Sequence, residues 1–194
     1  LELIFTQLGK RSVINLRKIL FVPKSRNAKG VALVVLGLIE DYKRSKDKYF
    51  LDNAKKLVQW LLDSTCDKKK WNNNCWGYNF EWQAKAFNVP FGTPNIVTTY
   101  FVSLAIYKFS ILINDQNLQK EALSSAYFMN EHLLSKRENN DVFNYVPNYK
   151  AFVHNANLFG AYWCLLSGTN NNDKELIDKS MSAIEFSIKD QKSD

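Results

Sequence analysis

The sequence predicts an all-α fold: an incomplete α/α toroid of three inner/outer helix pairs preceded by an N-terminal helix. Three observations carry this expectation. A nearly all-apolar segment is followed by an amphipathic one three times over. The connectors between these segments fall into two unlike sets. No stretch holds the period-two alternation of a half-buried strand, so almost no sheet is expected.

The elements follow in order. Residues Ile4–Leu20 read as a first helix. Val31–Ile39 is the first apolar segment, and its partner Tyr49–Leu62 carries Ala54, Leu57, Val58, Leu61 and Leu62 on one face with Lys55, Lys56 and Gln59 opposite. The second pair is Ile96–Ile113 with Leu118–Leu134, where Leu118, Ala122, Ala126, Met129 and Leu133 share a face. The third is Leu158–Leu166 with Lys174–Lys189, where Ile177, Ser180, Met181, Ile184 and Ile188 do so. A helix that is apolar all round must be covered on both sides, whereas an amphipathic one faces water. Alternation of the two kinds therefore predicts an inner ring wrapped by an outer one. A solenoid of helix pairs is the alternative, but solenoid repeats keep a tighter period than these. Thr93-Pro94 offers an N-cap with proline at the first helical position. Asn172 with Glu175 resembles a capping box, and Gly168 suits a helix C-cap.

Residues 1–194 suffice for a single domain with a real core. The chain opens on Leu1 and stops at Asp194 directly after a helical pattern, so it reads as a fragment of a larger toroid. An open ring would leave apolar inner-helix surface uncovered, and self-association is expected from it. The formal charge is +7, but Lys and Arg are scattered among acids and form no basic stripe interleaved with stacking aromatics. A nucleic-acid partner is not expected, whereas an acidic polysaccharide suits the charge. Cys66, Cys75 and Cys164 form no C-x-x-C pair and have no histidine at ligand spacing, so no metal or cofactor is expected. Their odd number suits a reducing compartment. No secretory leader is visible, and the longest apolar runs are short or interrupted by Lys108, so no membrane span and a cytoplasmic location are expected.

The inner-to-outer connectors are short and polar: Ser45-Lys46-Asp47, Asn114-Asp115, and Thr169 to Asp173. The outer-to-inner connectors are long and rich in aromatics and amides. One runs from Trp71 through Trp76, Tyr78, Asn79, Phe80, Glu81, Trp82 and Gln83 to Asn95. The other runs from Phe143 through Tyr145 and Tyr149 to His154, Asn155 and Asn157. In an up-down ring all connectors of one kind emerge at one end, so these two share a rim, and that rim is the expected site. Aromatic rings stack on the C–H faces of sugars while amides satisfy hydroxyls. Trp76, Tyr78, Asn79, Trp82, Gln83, Asn95, Tyr145, Asn155 and Asn157 are accordingly the candidate sugar-binding residues. Glu81, flanked by Phe80 and Trp82, is the candidate general acid, because burial would lift its pKa. His154 is the second candidate catalytic group, as a proton acceptor or donor. Phe80, Phe91, Phe143 and Phe152 read as loop plugs, and His132 as a surface residue.

The segments Cys75-Trp76-Gly77-Tyr78-Asn79-Phe80-Glu81-Trp82-Gln83, Gly92-Thr93-Pro94-Asn95 and Val153-His154-Asn155-Ala156-Asn157, with Asn15-Leu16-Arg17, resemble a family found in bacterial polysaccharide-biosynthesis loci. Its members are six-hairpin glycosidase-like α/α toroids, and some carry the label delta-aminolevulinic acid dehydratase. The resemblance covers most of the chain and implies the toroid fold. It carries no settled reaction, and the family's chains are longer. At the position of Glu81 the family pattern more often has Asp.

The resulting expectation is a carbohydrate-active or carbohydrate-binding protein linked to exopolysaccharide or capsule metabolism, hydrolase-like or lyase-like. Hydrolysis needs two carboxylates across the scissile bond, and Glu81 is the one the sequence offers. Elimination from a uronate would use Asn79 and Asn155 to neutralise the carboxylate and His154 or Tyr78 to take the proton. The alternatives are a non-catalytic sugar-binding scaffold, a sugar epimerase, and a terpene-cyclase- or prenyltransferase-like toroid, for which no Asp-rich motif is present.

Overall fold

The computed structural model describes residues 13–15, 24–83, 88–150 and 152–191. The expected helix Ile4–Leu20 lies outside them, apart from the exposed Val13, Ile14 and Asn15. The described residues contain helices α1 (Ala28–Ser45), α2 (Lys48–Asp63), α3 (Lys68–Trp71), α4 (Ile96–Ile113), α5 (Gln116–His132), α6 (His154–Asn171) and α7 (Lys174–Lys189). Each helix of the three pairs overlaps its expected segment: α4 and α7 match it, α1, α2 and α6 extend beyond it at both ends, and α5 is shifted toward its N-terminus.

Helix α4 packs against both α1 and α6, which makes these three the inner row. The outer helices α2, α5 and α7 each pack back onto inner helices. The chain is an arc of an α/α toroid.

One turn chemistry is used three times between inner and outer helices. Lys46, Asn114 and Asn172 take the left-handed conformation at φ 57°, 57° and 55°, and the next residue caps the outer helix. Asp47 accepts from the Tyr49 N–H, Asp115 from Leu118 and Asp173 from Leu176. The left-handed residue reverses the chain and the aspartate satisfies an orphan donor of the outgoing helix.

Two expected caps are corrected by these contacts. Asp173, not Asn172, caps α7, because Asn172 is already spent as the left-handed residue ending α6. Gly168 lies inside α6 rather than at its end. A Cβ there would sit 2.9 Å from Ile177 Cγ1, so its lack of a side chain lets α7 approach.

The core is dominated by Trp76, Trp163, Phe109, Phe128 and Phe143. A buried polar chain ties inner and outer rows: Trp163 Nε1 donates to Ser125 Oγ at 2.8 Å, and Ser125 bonds Ser103 Oγ at 2.6 Å. Helix α4 is long and apolar enough to cross a membrane by length and composition alone, against the sequence expectation. Here most of it is buried between its neighbours. Helices α1 and α6 are less covered than all-round apolarity implied. Leu33, Val34, Leu158 and Tyr162 are exposed, because each of these helices has one inner neighbour where α4 has two.

Among the described residues, paired strands are confined to two hairpins in the long connectors. Strands β1 (Trp82–Gln83) and β2 (Asn88–Val89) pair antiparallel, with Trp82 opposite Val89. Strands β3 (Leu134–Arg137) and β4 (Asn140–Phe143) pair across a two-residue turn in which Glu138 and Asn139 both have positive φ. That turn matches the twist of a two-stranded ribbon. The sequence hid the second hairpin because the expected outer helix runs on to Leu134 and Ser135-Lys136-Arg137 shows no apolar alternation. His132 is likewise not a surface residue. It is half-buried, with its ring against Trp71 and Phe128.

Candidate functional site

The two long connectors meet over the N-terminus of α4. The first returns on itself as an extended ribbon: Gly77 bridges Pro94, the Gly92 N–H donates to Tyr78 O, and the Asn95 N–H donates to Trp76 O. Gly77 is required there, since a Cβ would fall 2.3 Å from the Thr93 carbonyl oxygen. Pro94, expected to open α4, lies in the ribbon instead, and α4 is capped by Asn95, whose Oδ1 accepts from the Thr98 N–H at 2.9 Å. The second connector crosses the same helix end, where Tyr145 O accepts the Ile96 N–H at 3.0 Å. The shared rim inferred from connector type is thus present.

An aromatic cluster sits on this rim. Tyr78 stacks on Phe80 with centroids 5.1 Å apart and meets Trp82 edge-on at 6.2 Å. Trp82 lies 5.2 Å from the Tyr145 ring, and the Tyr78 and Tyr145 hydroxyls are 2.9 Å apart. Tyr78, Trp82 and Tyr145 are half-buried, and Phe80 is 48% exposed. Burial, with the hydrogen bond that the Tyr145 hydroxyl gives to Tyr78, pushes the Tyr145 phenol above its ordinary range. The cluster is a partly open face of rings edged by hydroxyls.

Phe80, expected to plug its loop, is instead part of the open face of the cluster. The chain bends at Asn79 and Phe80, which brings the Phe80 ring onto Tyr78 on the open side of the cluster. Phe91, also read as a plug, is 72% exposed on the same ribbon.

The other candidates divide. Three expected sugar-binding residues are scaffold. Trp76 is fully buried, with Nε1 donating to Leu61 O at 2.8 Å, so no ring face is left for a ligand. Asn95 is buried as the cap of α4. Asn157 is buried as a cross-link: its Oδ1 accepts from the Phe143 N–H, and its Nδ2 donates to Ala183 O and Ser187 Oγ. Asn79 is half-buried and engaged with the start of α1, donating to Ser25 Oγ and accepting from Asn27 Nδ2. Asn155 is exposed, and Gln83 pairs with Asn88 through the β1–β2 ladder.

Neither titratable candidate sits as expected. Glu81 follows Phe80 in the cluster segment but is exposed, so the burial that was to make it a general acid is absent. His154 opens α6 and is held by the end of α7. Its Nδ1 lies 3.1 Å from Ser187 Oγ and its Nε2 2.8 Å from Asp190 Oδ2, while Phe152 and Phe186 flank the ring. These contacts place His154 with the third hairpin rather than with the aromatic cluster. Among the described residues no group of His, Cys, Asp and Glu is arranged to hold a metal ion.

Solved structures with similar folds include several glycoside hydrolase family 76 proteins. A mannosidase of this family from Bacteroides thetaiotaomicron superposes with a TM-score of 0.57 at 14% identity, over 85% of this chain and 44% of that one. An α-1,6-mannanase of Salegentibacter, solved with α-1,6-mannotriose, gives 0.55 at 9% identity over 88% and 49%. This chain shares their fold. A protein from Listeria innocua gives 0.57 at 12% identity over 93% and 50%. The chain therefore spans about half the length of these structures or less. No family model matches the chain, and no curated protein matches it. Neither the dehydratase label nor a polysaccharide-biosynthesis locus is supported by these matches.

Proposed function

We propose that the aromatic rim is a carbohydrate-binding platform, and that the chain is one arc of a carbohydrate-active toroid. The observation that carries the reading is the contact cluster Tyr78–Phe80–Trp82–Tyr145, a partly open aromatic face at the mouth of the inner helices. Support comes from the fold shared with the Salegentibacter α-1,6-mannanase, which was solved with a bound trisaccharide. The ligand class is an oligosaccharide segment of an exopolysaccharide or its precursor, and the net charge of +7 favours an acidic one.

Within this reading the arc supplies binding more readily than bond cleavage. Hydrolysis requires two carboxylates across the glycosidic bond. In the Salegentibacter protein, the variant with two consecutive aspartates changed to asparagine is inactive. This sequence contains no consecutive aspartates, and Glu81 is the carboxylate of the aromatic segment.

The test is a tryptophan-fluorescence titration with α-1,6-mannotriose and with a uronate-containing trisaccharide, on wild type, Trp82→Ala and Glu81→Ala. Binding that Trp82→Ala removes and Glu81→Ala retains supports a platform. Product formation that Glu81→Ala abolishes would add a catalytic role. Absence of binding to either sugar class overturns the reading.

A further inference from the structure

Cys66 and Cys75 are nine residues apart in sequence and meet across the ends of a closed loop. The Cys66 N–H donates to the Cys75 carbonyl at 2.9 Å, which sets the two residues side by side, and each thiol shifts the titration of the other. A backbone N–H···O=C bond of that length holds the two Cα atoms within about the separation a disulfide spans, roughly 4.4–6.8 Å. Cys66 is half-exposed and Cys75 is buried. The sulfur of Cys66 also lies 3.3 Å from the Gly92 carbonyl of the rim ribbon.

We propose that Cys66 and Cys75 form a reversible disulfide, with Cys66 as the attacking and Cys75 as the resolving thiol. The environments of the two thiols differ in the sense this division needs. The interaction with Cys75 lowers the Cys66 pKa against the opposing effect of burial, with the Gly77 backbone and Lys70 adding to the lowering, whereas the interaction with Cys66 and burial both raise that of Cys75. The thiolate is the nucleophile, and half-exposure lets an oxidant reach it.

With a low-molecular-weight disulfide such as oxidised glutathione, the Cys66 thiolate attacks one sulfur and expels a glutathione thiolate. Cys75 then gives up its proton and attacks the Cys66 sulfur of the mixed disulfide, expelling the second. Two protein thiols are oxidised by two electrons, one glutathione disulfide is reduced to two thiols, and the two protons end on those thiols.

The bond would close the loop Asp67–Asn74, which holds α3. Lys68, Asn72, Asn73 and Asn74 form one wall of a polar cleft of about 430 Å³ against α5. Asn74 donates to the Glu121 carbonyl of that opposite wall at 2.8 Å. Oxidation would therefore fasten the cleft wall and the root of the rim connector, which begins at Cys75-Trp76-Gly77, to the end of α2.

The full chain is incubated folded with oxidised glutathione, quenched in acid, unfolded and alkylated. The expected result is loss of two of the three thiols, reversed by dithiothreitol. Tryptic digestion, which cuts at Lys68–Lys70, should give the Cys66 and Cys75 peptides as one linked species. Cys164→Ala should leave that species intact, and Cys75→Ser should trap one glutathione on Cys66. Survival of all three thiols, a linkage through Cys164, or a dimer joined through Cys66 would overturn the proposal. The wild-type map decides the matter even where a variant fails to fold.

Discussion

The hydroxyls of Tyr78 and Tyr145 lie 2.9 Å apart although 67 residues separate them. One belongs to the connector into α4 and the other to the connector into α6. Their contact joins the two long connectors into one surface, and Trp82 touches both rings. The rim is thus a tertiary product of two loops rather than a property of either.

Trp82→Ala should weaken oligosaccharide binding about 30-fold while leaving the fold intact, because a central aromatic anchor contributes about 2 kcal/mol or more at such sites. Phe80→Ala should act in the same direction and less strongly, since Phe80 contacts the cluster from its exposed side. Fluorescence or calorimetric titration reads both, with circular dichroism to establish folding.

Tyr145 predicts an alkaline limb in stability. Burial and the Tyr78 hydrogen bond raise its pKa in the folded chain above the unfolded value of about 10. A group raised in this way contributes its full stabilisation below pH 10, and loses it as pH climbs from there toward the folded pKa. Tyr145→Phe should flatten that part of the profile. Tyr100, also raised by burial, should leave a residual slope. Urea unfolding between pH 8 and pH 11 measures the difference.

Asn157→Ala should destabilise without touching the rim. It strips the Phe143 N–H of its acceptor and removes two donated bonds to α7. A buried unsatisfied group costs about 1–3 kcal/mol. Chemical denaturation should show a loss of about that size, with sugar affinity unchanged. A fall in affinity alone, with stability intact, would instead make Asn157 a ligand residue.

The three aspartate caps should behave as equals. Asp47→Ala, Asp115→Ala and Asp173→Ala each remove one side-chain bond to an outer helix, and each should cost about 1 kcal/mol. The three turns are separate, so the triple variant should lose close to the sum. Denaturant midpoints for the singles and the triple decide this.

How far the sequence was legible follows from what each feature depends on. The inner and outer helices were legible because their apolar spacing is local, and so were the polar turns that carry Asp47, Asp115 and Asp173. Thr93-Pro94 misled because a proline suits both a helix start and the edge of a ribbon, and the bridge from Gly77 to Pro94 selected the second. Trp76 and Trp82 could not be told apart, being aromatic residues of one motif. Trp76 is buried because Leu61 O, at the end of α2, accepts its indole N–H, and that meeting is set by tertiary packing. His154 misled for a similar reason. Its partners Ser187 and Asp190 lie more than thirty residues away, in the last turn of α7 and at its C-cap.

The central claim is that the rim formed by Tyr78, Phe80, Trp82 and Tyr145 binds carbohydrate. Isothermal titration of wild type and Trp82→Ala with one panel of neutral and acidic oligosaccharides tests it most directly. The account predicts saturable binding of at least one oligosaccharide by wild type and binding about 30-fold weaker in Trp82→Ala. Equal affinities for the two proteins, or no heat from any member of the panel, would contradict it.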